Sequence, residues 1–178
     1  MPSFAKTLTL LLVAGALSAG CGGREIVPLL STSGIPVTRT PQEEVPLEVV
    51  TRSTAVSDPM PVRGSTVSYQ DVEAALGIAV TTAAAPFAKN FKEHRPGGYQ
   101  LTVEIMQAEV EHSHGRLVMA MNVNATLRSR VGRVYLAQTQ ARCQQAGVVE
   151  AENGGQVVYA CMMRIGRDLG GWMGGLPL

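Results

Sequence analysis

His112 and His114, with Glu111 beside them, are the side chains of this sequence closest to a recognisable chemical pattern, because two imidazoles one residue apart can begin a metal-ligand set. A closed zinc site needs a third and a fourth ligand, and no cysteine or carboxylate cluster in the neighbouring sequence supplies them. Glu111-His112-Ser113-His114-Gly115 reads as a polar turn, and His94, before Arg95-Pro96-Gly97-Gly98, reads as loop. Serine, threonine and aspartate are scattered, and neither GxSxG nor a phosphate-cradling GxxxxGK(S/T) occurs. Gly97-Gly98 and Gly154-Gly155 are turn glycines, and Glu150 and Glu152 fall in a solvated loop. Met119, Met121, Met162, Met163 and Met173 could line an adaptable groove, but Met119 and Met121 fit a core strand better. These residues predict no enzyme, no metal and no cofactor.

The chemistry that remains belongs to the three cysteines. Lys6 precedes an apolar run over residues 8–17, followed by Leu17-Ser18-Ala19-Gly20-Cys21-Gly22. A run of about ten residues suits a secretory signal and is too short to span a bilayer. The small residues before Cys21 resemble the lipobox of bacterial lipoproteins, with Ser18 where leucine is commonest. The resemblance implies that residues 1–20 are a cleaved signal peptide and that the Cys21 thiol carries a diacylglycerol, with a further acyl chain such as palmitate on the new amino group. The alternatives are an ordinary secretory signal and a core helix with a chance cysteine. Each buried CH₂ of such chains contributes about 0.8 kcal/mol, so the expected membrane partnership is strong. Gly22 stands where an aspartate would retain a lipoprotein at the inner membrane. The expected location is therefore the periplasmic side of the outer membrane, with the inner membrane as the alternative.

Export places Cys143 and Cys161 in an oxidising compartment, where an even pair tends to close. Cys143 lies on one side of an alternating strand and Cys161 on the apolar stripe of a helix, so both point into one strand–helix seam. The expectation is a structural disulfide, with two buried free thiols as the alternative. No CxxC spacing indicates redox work.

Composition narrows the partners. Lys and Arg number 15; without Lys6, the only charge in residues 1–20, 14 remain against 14 acids. A neutral mature chain lacks the basic stripe that nucleic-acid binding requires. Hydrophobic residues make up 46%, enough for one core, and with aromatics at 4% that core must be built from small side chains.

Four prolines (Pro28, Pro36, Pro41 and Pro46) among Ser, Thr, Gly and Gln mark residues 21–46 as a flexible tether. Coil statistics give it a reach of about 25–30 Å, enough to hold the domain clear of a lipid surface. Residues 47–178 form a single domain. A strand is expected over residues 47–51, then a loop through Pro59, Pro61 and Gly64, then a helix capped by Ser68 with Asp71 three residues on. Its stripe is Val72, Ala75, Leu76, Ala79, Val80 and Ala83, and Pro86 should end or kink it. Three alternating segments follow. Leu101, Val103 and Ile105 begin the first, and a phase slip near Gln107 predicts a bulge. Met119, Met121 and Val123 lie in the second; Tyr135, Ala137, Thr139, Ala141 and Cys143 form one side of the third. A last helix carries Val158, Cys161, Ile165, Leu169 and Trp172 and dissolves into Gly170, Gly171, Gly174 and Gly175. The fold class is α+β: a two-layer sandwich with an antiparallel sheet of about four strands and both helices on one face.

The other sheet face is rich in amides and hydroxyls and poor in charge. Asn122, Asn124 and Gln138 mark it as a candidate partner face, against the alternative of plain solvent exposure. Tyr99-Gln100-Leu101-Thr102-Val103-Glu104-Ile105, Gly115-Arg116-Leu117 and Ile165-Gly166-Arg167-Asp168-Leu169-Gly170-Gly171-Trp172 resemble the ABC-type transport auxiliary lipoproteins, the PqiC-like group. YajG-like lipoproteins share the same helix, hairpin and helix order. The first resemblance implies a non-catalytic accessory protein of an ABC or MCE-type lipid transport system, bound to an envelope protein. A structural lipoprotein contacting peptidoglycan or an assembly complex is the alternative, and a homo-oligomer stays open.

Overall fold

Alternation of apolar and polar residues makes the longest elements of the computed structural model, which describes residues 23–29, 47–88, 98–148 and 154–177. β5 (Tyr99–Ser113), β6 (Arg116–Ser129) and β7 (Tyr135–Val148) form an antiparallel meander. Leu117, Met119, Met121, Val123, Ala125 and Leu127 are all buried, as a period of two on one covered face requires. The expected bulge is present: the β5–β6 register shifts between Ile105 and Gln107, leaving Met106 as the extra residue. The β5–β6 turn consists of His114 (φ 52°) and Gly115 (φ 70°). Two successive positive φ angles suit a type I′ hairpin, whose twist matches that of the strands. Histidine is among the few side chains enriched in that left-handed region, which gives His114 a conformational role.

The sheet is larger than the alternation implies, and it is mixed. β1 (Glu25–Pro28), β2 (Leu47–Ser53), β3 (Met60–Arg63) and β4 (Val67–Gln70) bring it to seven strands. The order is β1-β4-β3-β5-β6-β7, and β2 also pairs with β5. β2 occupies the free edge of β5 from Tyr99 to Ile105, and β3 joins the same edge at Val110 and Glu111. Both pairings are parallel, as is β1 with β4, which corrects the expected four-stranded antiparallel sheet. The added strands β1, β3 and β4 have four residues each, too few to show a period, and β3 lies in the Pro59–Gly64 stretch that composition marks as loop. β1 lies inside the stretch read as tether, and Leu29 just after it is buried.

One correction concerns α1 (Val72–Ala88). Ser68 is not its cap; it lies in β4, fully buried. Asp71 holds the capping position instead, at φ 62°: its backbone N–H donates to the Asp58 carboxylate (3.1 Å) and its carbonyl accepts from Ala75 N–H (2.8 Å). Of the two outcomes expected at Pro86, an end is excluded, because the helix runs on to Ala88. The predicted stripe, from Val72 to Ala83, is buried throughout.

α2 (Gly154–Gly174) does not dissolve at Gly170 and Gly171; it continues through them. Gly166 and Gly170 lie one turn apart and face α1. A Cβ on Gly166 would stand 2.8 Å from Ala83 Cβ, 2.9 Å from the Ala79 carbonyl oxygen and 3.0 Å from Val80 Cα. These glycines let two helix backbones touch, and alanines on α1 complete the close approach. Both helices cover the same sheet face: Thr51 Oγ1 donates to the Glu73 carbonyl of α1 (2.8 Å), and Val157 of α2 lies over Gly147 of β7. The core is one continuous cluster between these layers.

Candidate docking surface

The face that the helices leave open is built from the alternate residues of the same strands. Register places Asn122 opposite Arg142, Asn124 opposite Gln140 and Thr126 opposite Gln138. Asn122, Asn124 and Gln138 therefore all lie on the open face, as their spacing predicts. Two amide bonds knit this part of it together: Gln138 Nε2 donates to Asn124 Oδ1 (2.8 Å) and Asn122 Nδ2 to Gln107 Oε1 (3.3 Å).

Charge is not sparse across the whole face. On the β2, β3 and β5 side, Arg52 pairs with Glu104, Arg63 with Glu109 and Arg130 with Glu48, each at 3.4 Å. Gln100 Nε2 and Thr54 Oγ1 donate to two of the same carboxylates, those of Glu48 and Glu104. The β6–β7 side carries Asn122, Asn124, Thr126, Gln138, Gln140 and Gln144, with Arg116, Arg128 and Arg142 its cations and no acid among them. Charge depletion thus belongs to one half of the face, because parallel pairing with β2 and β3 brought ionic partners to β5 that the β5–β6–β7 meander alone would lack.

Tyr135 departs from its expected side. A register shift between Leu127 and Arg128 pairs Tyr135 with Arg128, so it turns to the open face and is 56% exposed. With Val131 and Val134, both also exposed, it forms an apolar tip at the β6–β7 turn. Sequence reading missed this tip, although three apolar residues within five positions around Gly132 and Arg133 were its signal.

Cys143 and Cys161 are joined by a disulfide, with Cα atoms 5.6 Å apart, inside the range such bonds require. It staples edge strand β7 to α2, in the seam that the strand and helix phases predicted. Buried beside the same layer are two phenols. Burial pushes the Tyr69 hydroxyl up to about 12, and that of Tyr159 is raised by the same cause. His112 lies near the end of β5 and His114 in the β5–β6 turn, where Ser113 Oγ and His114 Nδ1 are 2.7 Å apart. Among the described residues no group of three His, Cys, Asp or Glu could hold a metal ion, and no helix is long and apolar enough to cross a membrane. Cys21, His94, Glu150, Glu152 and residues 1–20 lie outside the described residues.

This arrangement of layers recurs in solved bacterial proteins. A DUF330-family protein of Xanthomonas campestris superposes with a TM-score of 0.53 at 13% identity, over 71% of this chain and 81% of that one. A candidate lipoprotein of Caulobacter crescentus superposes with a TM-score of 0.51 at 8% identity, over 73% and 88%. The fold is shared with both. No family model and no curated protein matches the sequence itself.

Proposed function

We propose that this chain is a non-catalytic docking lipoprotein of the bacterial envelope, anchored through Cys21 on the periplasmic side of the outer membrane. Its binding surface is the β6–β7 half of the open sheet face. The observation that carries this reading is the division of that face. One half is tied up in ion pairs, while the other is an array of amides on the open face of two long strands, free of carboxylates and with three arginines at its margins. Interface cores are depleted in charge, and solvated edges ordinarily carry it. The Caulobacter crescentus neighbour, a candidate lipoprotein on the same fold, supports the anchored state. The resemblance to transport auxiliary lipoproteins supports a partner within an ABC or MCE-type lipid transport system.

The test uses the lipidated full chain. Wild-type protein and a variant with Asn122→Lys, Asn124→Glu and Gln138→Lys are recovered from native envelope after crosslinking, and co-purifying proteins are identified by mass spectrometry. Enrichment of a permease or MCE-domain protein by wild type, lost in the variant, is the expected result. Equal recovery by both would place the binding surface elsewhere. In parallel, Cys21→Ala should abolish palmitate labelling and detergent partitioning; labelling that survives would refute the anchor.

A further inference from the structure

We infer that the domain stands directly on the lipid surface, on the end of the sheet that holds the β3–β4 and β5–β6 turns, with the β6–β7 tip carried away from it. This rests on the lipid anchor at Cys21 proposed above and specifies what that anchor does to the fold. The deciding feature is the position of β1. Its first residue, Glu25, is four residues beyond Cys21, and it is already paired with Val67 of β4. Four residues of fully extended chain span at most about 13–14 Å, so the sheet begins within that distance of the acylated cysteine. The headgroup layer of one leaflet is itself roughly 5–8 Å thick. A 26-residue tether would have separated the domain from the bilayer; incorporation of β1 into the sheet leaves almost none of it in between.

Strand directions then decide which end is down. Val67, beside Glu25, opens β4 immediately after the β3–β4 turn at Gly64, Ser65 and Thr66. β3 ends at Arg63, opposite Glu111 near the end of β5, so the β5–β6 turn is at this same end. β5 has 15 residues, and at about 3.4 Å each the β6–β7 turn lies roughly 45–50 Å away. Lying flat on the open face would cover the β6–β7 amides proposed above as the partner surface. Upright, that surface stays free and the exposed Arg24 and Arg116 meet the lipid phosphates.

The experiment places one thiol-reactive fluorophore at a time on lipidated full-length protein, through Thr66→Cys, Ser113→Cys or Val131→Cys. Labelling is done without reductant so that the Cys143–Cys161 bond persists. The protein is reconstituted in phosphatidylethanolamine and phosphatidylglycerol vesicles carrying a short-range headgroup quencher, and its lipid is verified by intact mass. Quenching several-fold stronger at positions 66 and 113 than at 131 is expected. A Gly/Ser spacer of about twenty residues after Gly22, with a reach of about 25 Å, should abolish the difference. Equal quenching at the three positions, or stronger quenching at 131, in protein of lipidated mass overturns the orientation and leaves the anchor standing. An intact mass without lipid overturns both.

Discussion

The two faces of β5, β6 and β7 are made by the same strands and obey opposite rules. On the covered face, Leu101, Met119, Met121 and Ala125 are sealed beneath two helices that themselves meet through Gly166 and Gly170. On the open face, Gln138 donates to Asn124 and Asn122 donates to Gln107, side chain to side chain across neighbouring strands. The covered face is specified by volume, where one added methyl group has nowhere to go. The open face is specified by chemistry, because exposed amides can change without disturbing what lies beneath. Changes on the open face can therefore be made without risking the core.

The largest effect should come from the helix–helix seam. Gly166→Leu must displace α1 backbone as well as side chains, and should cost about 3 kcal/mol or more in urea denaturation. Gly171→Ala, on the exposed side of the same helix with no atom within 4 Å, should instead stabilise by about 0.5–1 kcal/mol. Equal effects at the two positions would break the distinction between covered and open surfaces.

Next comes the staple. Removing the disulfide by Cys143→Ala with Cys161→Ala opens an 18-residue loop and should cost about 3 kcal/mol. Non-reducing peptide mapping of the wild type should show the two cysteine peptides linked.

Alkali probes the covered side in a third way. The Tyr69 hydroxyl titrates at about 12 in the fold and near 10 when unfolded, so between those values the folded state holds the proton that the unfolded state has lost. Its contribution is complete below pH 10 and falls as pH rises from 10 towards 12. Tyr69→Phe should flatten stability against pH in that window, measured by denaturation at fixed temperature; an unchanged slope would mean that burial does not govern this phenol.

The smallest effect on stability is expected where the effect on binding is largest. The triple change of Asn122, Asn124 and Gln138 to charged residues should move stability by no more than about 0.5 kcal/mol per site. A loss several times larger would show the amide array to be structural.

Much of this contrast was legible in the residues themselves. The alternation of β6, the phase slip at Gln107, the α1 stripe and the shared seam of Cys143 and Cys161 all follow from periods of two and 3.6, which local geometry imposes on any strand or helix with one wet side. The same periods placed Asn122, Asn124 and Gln138 on a common face. Tyr135 escaped because a register shift between strands leaves no mark in the sequence of either one.

What only the tertiary structure decided concerns segments whose role depends on what approaches them. β1, β3 and β4 are too short to declare a period and exist because neighbouring strands satisfy their backbone groups, which is how the stretch composed like a tether came to begin the sheet. Parallel pairing of β2 and β3 on one edge of β5 brought in the arginines that divide the open face. Gly166 and Gly170 show the same dependence most sharply. As residues both weaken a helix, and Gly170 reads as its end, but α1 comes so near that no side chain would fit between. The sequence by itself determined which faces are apolar, since that is a property of each element alone; contact between elements determined which of those faces meet and how closely.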